Sequence, residues 1–216
     1  MQVSSLESDD SIQGENVVTK VFLFTAPKIA ALRARIVELR SSNVLSKYPT
    51  RTEVLSALIW RSFIKTCRVK AARKLTHSVA STKPIIMRSL ANYAVNFRTR
   101  LNPPLPHVSF GNIIMDATAE STTRIDHEEV TPGFIETLDE LIGQLRLGVN
   151  KIDDGYIRKL QEGDVEFLKS LDEASHDSND HEGDENDENK VLICWLNSLC
   201  RFPFYETDFG WGNHHG

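Results

Sequence analysis

Hydrophobic positions change period several times along the chain. In "VVTKVFLF" (Val17–Phe24), β-branched and aromatic residues crowd a short run, which predicts a strand. Ile29, Leu32, Ile36 and Leu39 then recur at helical spacing, with Pro27 in the first turn. A second helix opens at Thr50, whose spacing to Glu53 is that of a capping box. Val54, Leu55, Leu58, Ile59 and Phe63 form its expected core side, and its C-terminal end is basic, as the helix dipole favours. "IIMRSLANYAVNFRTR" reads as a strand stopped by "NPPLP", where prolines withhold N–H donors from a ladder. "FGNIIMDA" reads as a short buried strand. Gly133 to about Leu171 is mostly helical, with Phe134, Leu138, Leu141, Ile142 and Leu145 on one face and a second piece near "DDGYIRKL". "VLICWLNSLC" returns to strand. Strands alternating with helices predict an α/β (α+β) class, and no internal repeat is present.

Size and charge narrow this picture. A chain of 216 residues and 24.4 kDa can bury a real core but is short for two full domains. Residues 1–16 are expected to be a disordered N-terminal segment and 17–216 one domain. Within it, Asp172–Lys190 carries nine acids against one Lys and reads as a disordered acidic loop. That tract holds a net charge of −8 out of −5, so the rest of the chain is +3. Such a balance argues against a nucleic-acid partner and mildly favours an anionic small ligand. Three cysteines without paired spacing read as reduced thiols. The N-terminal stretch is polar and acidic, and no apolar run approaches the roughly 20 residues that span a bilayer. The expected setting is the cytoplasm, with no membrane partner.

Short chemical motifs mostly fail on context. His176 and Asp180 in "HDSND" have the spacing H-x-x-x-D, and a His beside a carboxylate is a candidate general base. They lie among like charges with nothing apolar to hold them, so the pair is read as a chance match. Asp177 and Asn179 offer calcium-loop oxygens, but the required Gly position is Glu182 and Gly183 comes one residue late. A cation buffer on this tract is therefore the weakest functional reading. No His/Cys constellation has zinc-ligand spacing, so no metal is expected. Phosphate-binding and nucleophile-elbow glycine motifs are absent.

Four segments, in order, resemble one family. "DFGWG" (Asp208–Gly212), preceded by "RFPFYET", resembles the sequence near the C-terminus of plant BAHD acyl-CoA-dependent acyltransferases. "TRTEVLSALIWRS" resembles the family's long helix after the crossover. "AVNFRTRLNPPLPHVSFGNII" resembles its N-x-R-x-R strand, Pro turn and FGN segment, and "VNKIDDGYIRKL" a later helix. The flavour is that of the vinorine-synthase-like alkaloid and terpenoid enzymes. The resemblance implies one of the family's two domains, a chloramphenicol-acetyltransferase-like mixed sheet with packed helices, truncated at both ends of the family's pattern.

The resemblance also implies function. Family members transfer an acyl group (other than aminoacyl) from acyl-CoA, a co-substrate and not a bound cofactor, to a hydroxyl or amine of a plant secondary metabolite. Their H-x-x-x-D motif precedes the segments matched here, and its His deprotonates the acceptor. "HDSND" comes after those segments, so the isolated chain is expected to be inactive or nearly so. The alternative is a non-catalytic module that binds CoA weakly. Such a module would self-associate, or pair with a full-length relative, through its exposed interdomain face. In the family, Asp208, Phe209, Gly210, Trp211 and Gly212 correspond to a structural motif, as do Asn96 and Arg98. The counterpart of Arg98 pairs with the Asp of H-x-x-x-D, so Arg98 is expected to be exposed or re-paired. A Thr/Ser-Ser-Trp segment lining the reaction centre is replaced by Asn197, Ser198 and Leu199, leaving Asn197 as an oxyanion-side candidate. Thr50 and Arg51, at a helix N-terminus, are candidate contacts to CoA phosphates.

Overall fold

The structure is a computed structural model that describes residues 18–39, 48–75, 85–106, 108–125, 133–169, 191–200, 208 and 210, with a backbone strand at 3–6. The acidic tract, His176 and Asp180, and Phe209, Trp211 and Gly212 lie outside the described residues, as does the rest of the 1–16 segment.

Strand β1 (Val3–Leu6) pairs antiparallel with β2 (Thr19–Phe22). Helices α1 (Ala26–Leu39) and α2 (Arg51–Leu75) follow, then strands β3 (Ile85–Asn96) and β4 (Ile114–Ile125). Helix α3 (Phe134–Lys151), helix α4 (Asp154–Glu162), a helical turn at 165–169 and strand β5 (Val191–Leu196) complete the described elements. The main sheet has the order β4-β3-β5, with β3 antiparallel to β4 and parallel to β5.

One face of this sheet carries α2 and α3, and α1 packs against these two helices. Because strand side chains alternate, Met87 and Ala91 of β3 point into the helical layer, joined by Ala119 of β4 and Cys194 of β5. Trp60 of α2 is fully buried there, and its indole N–H donates to the Ser89 hydroxyl at 2.8 Å. Leu138, Leu141, Ile142 and Leu145 of α3 close the layer as their spacing requires. Gly148 sits where α3 meets β4 most closely: a Cβ there would lie 2.6 Å from the Thr118 carbonyl oxygen. A second cluster of Val95, Ala117, Ile152 and Ile157 fills the space under the end of α3 and the start of α4.

Three expectations need correction. The core side of α2 is Val54, Ala57, Trp60 and Ile64, whereas Ile59 is 46% exposed. Of the expected residues, Val54 is in the core and Leu58 and Phe63 pack partly buried against it, so Ile59 is the one that turns to solvent. Phe134 is 40% exposed and lies 4.5 Å beneath the Arg61 guanidinium, so Ile135 takes the core position. "FGNIIMDA" is not one short buried strand. Phe110 is fully exposed, and β4 starts at Ile114 and runs 12 residues with one face to solvent. The β-branched, polar run "TAESTTRI" extends it as a half-buried antiparallel strand.

Candidate active-site face

The N-terminal end of α2 and the turn after β5 flank Tyr93 of β3. The capping box is complete: the Thr50 N–H donates to Glu53 Oε2 at 2.7 Å, and the Glu53 N–H donates to Thr50 Oγ1 at 3.2 Å. Thr50 is therefore committed to the cap, and Arg51 beside it is exposed. Glu53 is also held from α3, where Arg146 places Nε on Oε1 at 2.8 Å and Nη2 on Oε2 at 2.9 Å. Burial alone would raise the Glu53 carboxyl, but the Arg146 hydrogen bonds and charge, with the Thr50 N–H, outweigh it and hold the pKa below its ordinary value. The first turn of α2 thus already contains a carboxylate where an anion would dock.

Tyr93 pairs in register with Leu196, two residues before Ser198. Burial pushes its phenol upward, and hydrogen bonding to Ser198 and Ser56 offsets this in part. Asn197 is exposed, and its Oδ1 accepts the Ser198 N–H at 2.8 Å. Its carboxamide N–H₂ remains as the group able to donate outward, the kind of donor a developing oxyanion requires. Leu199, where the resembled family has Trp, is 53% exposed. Tyr93, Ser56 and Arg146 were missed at the level of sequence. A Tyr in an alternating strand, or an Arg on a helix, resembles any other until the tertiary fold supplies its neighbours.

A second feature is the β3–β4 connection. Arg98 is part-buried and re-paired: Nε donates to the Ser109 carbonyl at 3.2 Å, Nη2 to the Gly111 carbonyl at 2.7 Å and Nη1 to Asn96 Oδ1 at 3.3 Å. Gly111 has φ +128°, a conformation suited to Gly. This loop presents Val108 and Phe110, 91% and 102% exposed. Arg100 turns the other way and caps the end of α3 through the Val149 and Ile152 carbonyls, both at 2.7 Å. Asp154 accepts the Asn102 N–H at 2.8 Å and Arg158 Nε at 2.7 Å, tying the proline turn to α4. The Arg158 and Asn102 hydrogen bonds lower the Asp154 pKa. At the far end of the chain, Asp208 is exposed and accepts the Gly210 N–H at 2.7 Å, with Gly210 at φ +95°.

Among the described residues, no group of three or more His, Cys, Asp or Glu is placed to hold a metal ion. No described helix is long and apolar enough to cross a membrane.

A mixed sheet covered by helices is an α/β architecture. The solved structure of vinorine synthase has it: the two superpose with a TM-score of 0.54 at 29% identity, covering 94% of this chain and 38% of that one. The Transferase family model matches residues 1–215, and the chain belongs to that family, the BAHD acyltransferases. Similar relatives include the 13-O-acetyltransferase of (13S,14R)-1,13-dihydroxy-N-methylcanadine from Papaver somniferum, 32% identical over 96% of this chain. Vinorine synthase of Rauvolfia serpentina is 31% identical over 97% of it. The chain spans 42% and 40% of the lengths of these two relatives.

Proposed function

We propose that the chain forms the Asn197-bearing part of an acyl-CoA-dependent acyltransferase that esterifies a hydroxyl, or acylates an amine, of a plant secondary metabolite in the cytoplasm. The observation that carries this reading is the arrangement at Asn197. Its carbonyl oxygen accepts the Ser198 N–H, which leaves its exposed amide N–H₂ to donate, and the adjoining Ser198 side chain is hydrogen-bonded to Tyr93. In such a reaction a base takes the acceptor proton and the acceptor oxygen attacks the thioester carbonyl. The oxyanion then collapses, releasing CoA as the thiol and leaving the acyl ester, with no acyl-enzyme. The only H-x-x-x-D in these 216 residues is His176–Asp180, which follows the matched helix and Arg98 segments, so the base must come from elsewhere. General acid–base catalysis contributes on the order of 10²–10⁴-fold, so the isolated chain is expected to bind acetyl-CoA weakly and turn over negligibly.

The test is calorimetric titration with acetyl-CoA, together with mass-spectrometric detection of product from alcohol acceptors. Transfer by these residues alone would refute the missing-base reading. Absence of acetyl-CoA binding would refute acyl-CoA recognition by this part of the fold. A second reading, a non-catalytic module that pairs with a full-length relative, is favoured by the Val108–Phe110 loop, since Arg98 holds two apolar side chains out in water. Co-elution of the chain with such a relative would support it. A chain that stays monomeric alone and in the mixture would count against it.

A further inference from the structure

We draw no further inference here: the strongest candidate, the cleft of about 290 Å³ between α1 and α3 floored by Ile36 and Ile135 and rimmed by Glu136, Asp139 and Glu140, is an acidic cluster for which no second feature of the structure names a ligand.

Discussion

Arg146 and Glu53 join α3 to the first turn of α2 through two parallel hydrogen bonds of 2.8 and 2.9 Å. The same carboxylate closes the capping box with the Thr50 N–H, so one side chain secures a helix start and a helix–helix contact together. Their side chains are only 22% and 24% exposed, which places this pair above ordinary surface ion pairs in worth. Glu53→Gln is expected to lower unfolding free energy by about 2 kcal/mol, the range for hydrogen bonds to charged groups. Urea denaturation at neutral pH measures it.

The same pair sets a pH dependence. The folded-state pKa of Glu53 is depressed below the ordinary 4.5. Its contribution is therefore fully present above the unfolded-state value and is lost as pH falls through the folded one. The difference in stability between wild type and Glu53→Gln should be constant near neutrality and shrink as the pH falls below the ordinary 4.5. A difference that grows on acidification would contradict the assignment.

Two glycines in α3 should behave oppositely. Gly148→Ala would drive a Cβ against the Thr118 backbone, which cannot move as a flexible side chain tip can. Overpacking of this kind typically costs about 1–3 kcal/mol. Gly143→Ala meets nothing within 4 Å, so the better helix propensity of Ala should stabilise by roughly 0.5–1 kcal/mol. Thermal melts of both variants decide this, and equal effects would show that α3 packs differently on β4.

These contrasts show what was readable without a fold. The capping box was legible because both partners lie within four residues, and most of α3's face because Leu138, Leu141, Ile142 and Leu145 recur at helical spacing. The burial of Ala57 and Trp60 and the exposure of Ile59 on α2 were not, since residue types alone do not reveal which part of a helix meets its neighbours. Trp60 finds its hydrogen-bond partner 29 residues away at Ser89, and Arg146 finds Glu53 at a separation of 93. At the candidate site, Asn197 and Arg98 could be named from the family resemblance. Tyr93 could not, because its role arises only from the register that sets it beside Leu196.

The three thiols should separate by reactivity. Cys200 is exposed, Cys67 intermediate, and Cys194 buried, with burial first and the nearby Cys67 second raising its pKa. Access favours Cys200, while burial and a raised pKa both disfavour Cys194. Titration of the native chain with an aromatic disulfide should label Cys200 fastest and Cys194 only after denaturant is added. Rapid native labelling of Cys194 would mean that β5 does not sit in the core.

Arg98 is the most direct test of the loop between β3 and β4. Its guanidinium reaches three separate acceptors, on Asn96, Ser109 and Gly111, and a Lys ammonium on a flexible stem cannot reproduce that fork. In Arg98→Met the apolar stem survives while two loop carbonyls lose their donor, which should cost about 1–2 kcal/mol. The effect should be local. Hydrogen exchange at Ser109 and Ile113, whose N–H groups bond to Pro106 and Gly111, should accelerate, while the Trp60 core keeps its protection. Arg98→Lys should fall between Met and wild type. If exchange in the loop is unchanged in Arg98→Met, the loop is held by its own backbone turns and Arg98 does not set the exposure of Phe110. If protection is lost throughout the sheet, Arg98 is a support of β3 as a whole rather than of the loop that presents Val108 and Phe110.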